Sequence, residues 1–263
     1  MGCLFSRFNF SGRQHLEENF EEQPKQYSWD KREKSNAEDY LIDGVKNETV
    51  GRLPGVLNGQ QIIIQNCENC NIYIYDYTAT VTVDDCINCN IFLAPVKTSV
   101  FIRDCKNCNV AVICQQLRTR DCSKLNIYLC CATQPIIESS TGVKVGCFQY
   151  YYPELEGQFK SAGLSIYNNN WSNIHDFTPV PGENNYTLIS QDCKIEDLIP
   201  LPTTEPFSTI QVSLEKDKSV VPYTLGSRHK NSDESCLVVF FNDGGSHSRA
   251  TSFTDSLLLQ VCN

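Results

Sequence analysis

Apolar positions between residues 62 and 129 follow two periods at once. Within short runs they alternate: Ile62/Ile64, Val81/Val83, Val100/Ile102 and Leu117/Thr119, then Ile72/Ile74, Ile91/Leu93, Val110/Val112 and Ile127/Leu129. Alternation of this kind puts one set of side chains on one face of a strand. The runs themselves recur around a shared hexapeptide, Asn66-Cys67-Glu68-Asn69-Cys70-Asn71, Asp85-Cys86-Ile87-Asn88-Cys89-Asn90 and Asp104-Cys105-Lys106-Asn107-Cys108-Asn109. A fourth copy, Asp121-Cys122-Ser123-Lys124-Leu125-Asn126, carries Leu125 in place of the second cysteine. The first cysteine therefore steps 67, 86, 105, 122. A period near twenty with two short strands per unit predicts a solenoid, each coil pairing its backbone with the coils above and below. The fold class is mainly β, a parallel β-helix, with Asn71, Asn90, Asn109 and Asn126 stacked in a hydrogen-bonded ladder at one corner.

The same parity exposes a second set of columns. Ile63, Thr82, Phe101 and Arg118 share one outward column; Gln61, Thr80, Ser99 and Gln116 share another; Gln65, Asp84, Arg103 and Arg120 a third. Arg118 then projects from a rigid strand with Phe101 one coil away, an arrangement suited to a partner. Ile136-Ile137-Glu138 reads as a further coil and Gly142 to Phe148 as a closing strand, and the aromatic segment from Tyr150 through Trp171 to Phe177 as a cap on the open end. Residues 180–235, rich in Pro, Ser, Asn and charge, read mostly as a linker. Cys236 to Phe241 has the pattern of a buried strand.

Composition narrows the chemistry. The net charge is −9 and no basic run follows the first residues, which argues against nucleic acid as a partner. The fifteen cysteines lack a secretory signal, so they are expected as reduced thiols, metal ligands or lipid sites. Cys67, Cys70, Cys86 and Cys89 match a zinc spacing. The leftover pair Cys105/Cys108 and the replacement by Leu125 favour a buried thiol ladder instead, with no metal. The opening Met1-Gly2-Cys3-Leu4-Phe5-Ser6 fits an acylation start, with myristate on Gly2 and palmitate on Cys3. One acyl chain holds a membrane only marginally, and Glu17, Glu18, Glu21 and Glu22 rule out a basic second signal, so a second chain is the remaining route. His15, His175, His229 and His247 form no catalytic or metal constellation, and no Gly-Lys-Ser/Thr phosphate loop is present.

Several of these stretches together resemble the tubulin-folding-cofactor-C domain family, and its membrane-anchored members in particular. They are the acylation start, Gln26-Tyr27-Ser28-Trp29, the Cys-x-x-Cys coils, Gln115-Gln116-Leu117-Arg118-Thr119-Arg120, Cys131 to Glu138, and Trp171-Ser172-Asn173-Ile174-His175-Asp176-Phe177. The resemblance implies a right-handed β-helix over residues 24–179 behind a lipidated N-terminus of residues 1–23. It also implies that residues 236–263 are the remnant of an α/β domain similar to nucleoside diphosphate kinase, as in a C-terminally truncated form. It implies an activator rather than an enzyme: a GTPase-activating protein for an Arf-like small GTPase, with Arg118 as the arginine finger. Gln115 and Gln116 would orient the catalytic machinery, and Thr98, Ser99 and Leu117 would join them around the partner's nucleotide. Glu138 and Phe177, with Phe101 from the outward column, would hold the partner. GTP and Mg²⁺ would come with the GTPase, and the chain would need no cofactor of its own. The implied setting is the cytoplasmic face of the plasma membrane, the ciliary base and cilium, and Golgi-linked vesicles, with lipidated cargo released and carried to the ciliary membrane. Tubulin's GTPase, or a non-catalytic tether, are the alternatives.

Overall fold

In the computed structural model, residues 37–215, 218–227 and 233–261 are described. Gly2, Cys3 and the tether around them lie outside these residues. The chain coils as the repeat requires, with two stacks of parallel strands. The first runs through β1 (Leu41–Asp43), β3 (Ile62–Gln65), β5 (Val81–Asp84), the later halves of β6 (Asn90–Arg103) and β7 (Asn109–Arg120), β9 (Ile136–Glu138) and β11 (His175–Asp176). The second runs through β2 (Thr49–Arg52), β4 (Asn71–Ile74), the early halves of β6 and β7, β8 (Asn126–Cys131), β10 (Val143–Cys147) and β12 (Tyr186–Leu188). Between the stacks, single parallel bridges join Lys46, Glu68, Ile87, Lys106, Ser123 and Thr141.

The hexapeptide makes the corners. Asn66, Asn69, Asp85, Asn88, Asp104 and Asn107 all have φ between 51° and 56°, the left-handed region that Asn and Asp tolerate best among residues with a side chain. Each coil thus turns twice around its Cys-x-x-Cys. The Asn ladder forms as expected: Asn90, Asn109 and Asn126 each donate Nδ2–H to the Oδ1 of the Asn one coil before, at 2.9, 2.8 and 2.7 Å. A second, unexpected ladder rises from Asn47 through Asn69, Asn88 and Asn107, at 3.1, 3.0 and 2.7 Å.

The cysteines line the interior. The first cysteine of each coil donates its thiol to the carbonyl two residues back, at 3.2 Å in Cys67, 3.3 Å in Cys86, 3.1 Å in Cys105 and 3.2 Å in Cys122. Cys70, Cys89 and Cys108 do the same at 3.2, 3.3 and 3.4 Å, and Leu125 fills the equivalent place in the fourth coil, fully buried. The thiols are thus engaged by their own backbone within an apolar core. Among the described residues, no group of three or more His, Cys, Asp or Glu side chains could hold a metal ion. Burial pushes the Cys114 and Cys130 thiols up, so they stay neutral and unreactive. A thiol reagent added to native protein at neutral pH should therefore modify exposed Cys236 first among the described cysteines. Cys67 to Cys147 should react only on unfolding, a difference that timed alkylation with mass spectrometry reads directly.

The aromatic segment closes the coil only in part. Trp171 and Ile174 do pack on the interior core, and the Trp171 indole N–H donates to Thr224 Oγ1 at 2.9 Å. Tyr150, Tyr152 and α1 (Leu155–Ala162) lie instead against the outside of the second stack, where Tyr73, Tyr75, Phe92, Ala111 and Tyr128 point outward. Phe92 sits 4.4 Å from Tyr150, ring centre to ring centre, and the Tyr75 and Tyr150 hydroxyls are 3.0 Å apart. Residues 180–221 continue this layer and are not a linker. β12 adds a strand, and Ile189, Ile195, Ile199, Phe207 and Val221 are buried on the same outer face. The run from Cys236 to Phe241 is not a strand: it finds no sheet to join, and Leu237 and Phe241 are 88% and 80% exposed. A helix not foreseen from the sequence, α2 (Ser246–Val261), follows it.

Candidate functional site

Because the C-terminal layer covers the second stack, the outer face of the first stack stays open. One column on it runs Thr82, Phe101, Arg118, Ile136, His175, each the direct lateral partner of the next. Parallel strands lie about 4.8 Å apart, so these side chains form a continuous strip.

Among the described residues, Arg103, Arg118 and Arg120 stand on this face, and of these Arg118 is free. Arg103 grips Asp84 with Nε and Nη2 at 2.7 and 2.5 Å. Arg120 pairs with Asp121 at 3.3 Å. The exposed Arg118 guanidinium has no hydrogen bond or ion pair among the described residues. A fixed strand therefore presents an always-charged planar donor whose valences are open to an incoming anion.

Beside Arg118 lies a polar groove of about 390 Å³. Ser99, Gln115 and Gln116 line one side; Thr133, Gln134, Ile136 and His175 line the other. Ser99 and Gln116 are register partners, and the Ser99 hydroxyl donates to Gln116 Oε1 at 3.4 Å. Gln115 is anchored by its main chain: its carbonyl accepts from the Thr133 N–H at 3.0 Å and from the Thr133 hydroxyl at 2.9 Å. Its amide side chain remains exposed. Thr98 opens onto a neighbouring groove of about 410 Å³, which Gln115, Lys97 and Gly163 also line. A larger cavity, about 730 Å³, lies against the second stack between Tyr128, Cys193 and Tyr223 and gathers none of the expected site residues.

The remaining expected residues divide. Leu117 is 1% exposed, so its side chain belongs to the interior core and only its main chain could face a nucleotide. The burial follows from the alternation that turns Arg118 outward. Phe101 is half-buried beside Arg118. Glu138 is exposed but stands in the column of Arg120, one position along from Arg118. Phe177 follows β11, 64% exposed, its ring edge-on to His175 at 5.5 Å and 82°. Thr133, Gln134 and Ile136 fall in the stretch from Cys131 to Glu138 that carries the resemblance, and His175 belongs to no catalytic or metal constellation. The sequence assigns none of the four to the site, and the register that places Ile136 beside Arg118 is what brings them in.

Residues 59–177, which include β3 to β11 and both grooves, match the family described as Tubulin binding cofactor C. Protein XRP2 of Homo sapiens is 60% identical over 98% of this chain and 74% of its own length. Protein XRP2 of Danio rerio is 65% identical over 84% of this chain and 59% of its own. Tubulin-specific chaperone C of Homo sapiens is 29% identical over 52% of this chain and 39% of its own. The coil repeat, the open face around Arg118 and these identities agree: the chain belongs to the tubulin binding cofactor C family.

Proposed function

We propose that this chain is a GTPase-activating protein for an Arf-like small GTPase and supplies Arg118 in trans. The observation that carries the reading is the unpaired guanidinium on a rigid, open sheet whose other two arginines are neutralised. GTP hydrolysis needs little covalent help: it needs the attacking water placed and the charge on the transferring phosphoryl group neutralised. A guanidinium meets the second need, and a strand holds it in place better than a loop would. Gln115 and Gln116 stand next to it, the Gln115 amide exposed and the Gln116 amide accepting from the Ser99 hydroxyl at 3.4 Å, to meet the partner's catalytic loop. Ser99 and Thr98 extend the polar rim towards the nucleotide, and Phe101, Phe177 and Glu138 frame the contact. GTP and Mg²⁺ belong to the GTPase. Acyl chains on Gly2 and Cys3 would hold the activator on the cytoplasmic face of the plasma membrane, at the ciliary base and on Golgi-linked vesicles, where hydrolysis would govern release of lipidated cargo.

A second reading keeps the chemistry and changes the partner to tubulin. It is favoured by the similarity to tubulin-specific chaperone C across half of this chain. Single-turnover GTP hydrolysis separates the readings. An Arf-like GTPase mixed with a saturating excess of this chain should hydrolyse its GTP about 10³-fold or more faster than alone. Binding without acceleration would leave a tether, and acceleration of tubulin's GTPase alone would select the second reading.

A further inference from the structure

The groove next to Arg118 has a composition unlike that of a phosphate site. Its walls carry hydroxyls and amides from Ser99, Gln115, Gln116, Thr133 and Gln134, with apolar Ile136 between them and the His175 imidazole at the end. The charged groups around it are already assigned. Arg118 stands at the rim, Glu138 projects one column away, and Asp176 on β11 accepts from Thr178 N–H at 3.0 Å and from Asn185 Nδ2–H at 2.8 Å. A phosphate in the groove would find no Lys or Arg on its walls, and charged groups are costly to seat without a partner. Main-chain amides find the reverse: amide and hydroxyl groups that can donate or accept, with a small apolar contact at Ile136. Gln115 and His175 make no side-chain hydrogen bond among the described residues, and Gln134 is held only by Asn173 at 3.3 Å. Their polar groups are available to such a ligand.

We propose that this groove receives an extended main-chain segment of the partner GTPase, read by Gln134 and His175, while Arg118 alone takes the phosphate charge. The inference rests on the arginine-finger reading and deepens it. Arg118 and His175 are two strands apart in one column, about 10 Å, so a partner whose phosphate reaches Arg118 must lay protein over the groove. His175 also stands edge-on to Phe177, so the groove wall and the exposed aromatic act on the same segment. His175 and Gln134 are thus partner-binding residues that set affinity, not rate.

The test uses the full chain as wild type, Gln134→Ala, His175→Ala and His175→Gln. Each is titrated against the GTPase carrying a non-hydrolysable GTP analogue and in single-turnover hydrolysis, with thermal unfolding as the check on folding. Gln134→Ala and His175→Ala should raise the half-saturating concentration about fivefold to twentyfold, with the rate at saturation within twofold of wild type. His175→Gln, which keeps a donor and an acceptor, should recover most of the loss. Half-saturation within twofold of wild type in both alanine variants would overturn the proposal, as would a lower saturating rate at unchanged half-saturation. Should Arg118→Ala retain full acceleration, the finger reading falls, yet the binding titration still judges the groove.

Discussion

Arg118→Ala should lose essentially all acceleration of GTP hydrolysis, a drop of about 10³-fold or more at saturation, while the protein folds as before and still binds its GTPase. Folding should hold because the side chain is exposed and makes no contact within the described residues whose loss would cost stability. Binding should hold within about tenfold, because Phe101, Phe177, Glu138 and the groove remain and the finger acts chiefly on charge that develops in the transition state. Arg118→Lys should recover little. An ammonium cannot donate in a plane to two phosphoryl oxygens, and its shorter reach from a fixed strand cannot be regained by moving the backbone. Arg120→Ala is the informative control, one register column away on the same face with its charge already paired to Asp121 at 3.3 Å. It should change the rate by less than about threefold. If Arg118 and Arg120 fell together, general electrostatic attraction would be the cause rather than a finger. The measurement is single-turnover hydrolysis at several activator concentrations, so that rate and affinity separate.

How much of this was legible beforehand differs from element to element. The coils were, because a solenoid repeats one local solution and the period survives in the spelling: a left-handed Asn or Asp, a buried thiol, a ladder Asn. Arg118 was legible as an outward side chain, since parity follows from the buried neighbours Leu117 and Thr119. That it is the free arginine was not, because its freedom depends on Asp84 sitting one coil below Arg103 and Asp121 beside Arg120. The groove was not legible either. It is assembled from four stretches of chain, and no local pattern marks a wall made of Ser99, Gln116, Gln134 and His175. The reading of 180–235 as a linker failed for a physical reason. Ile189, Ile195, Ile199, Phe207 and Val221 have no strand or helix period, since their burial is decided by the surface they cover. The clue lay elsewhere. After each hexapeptide, apolar residues occupy both parities, with Tyr73, Phe92, Ala111 and Tyr128 as well as Ile72, Ile91, Val110 and Ile127. Strands apolar on both faces are strands covered on both faces.

That covering layer leads to the second large effect. Tyr73 on β4 and Phe207 in the C-terminal segment are 1% and 6% exposed, with ring centres 6.0 Å apart, and the Tyr73 hydroxyl donates to the Pro200 carbonyl at 2.7 Å. Tyr73→Ala and Phe207→Ala should each cost about 3–5 kcal/mol, the usual loss for removing a buried aromatic ring. They should cost less together than the sum, because each cavity lies against the other. Were the segment a linker, Phe207→Ala would cost under about 0.5 kcal/mol. Denaturant unfolding of the two variants and the double variant decides between these. The Tyr73 phenol offers an independent readout. Burial pushes it up to about 12 from an ordinary value near 10, so the folded state keeps its proton where the unfolded chain would lose it. The stabilisation is complete below about pH 10 and is lost as pH rises towards 12. Phe207→Ala, by letting water reach the phenol, should bring its ionisation back towards 10 and flatten that loss. A chain cut after residue 179 should fare worse still, since it would strip Phe207 and Pro200 from Tyr73 and Cys193 from Tyr128 and bare both rings. It should aggregate, whereas a chain cut after residue 227 keeps this layer and should stay in solution with Arg118 fully active.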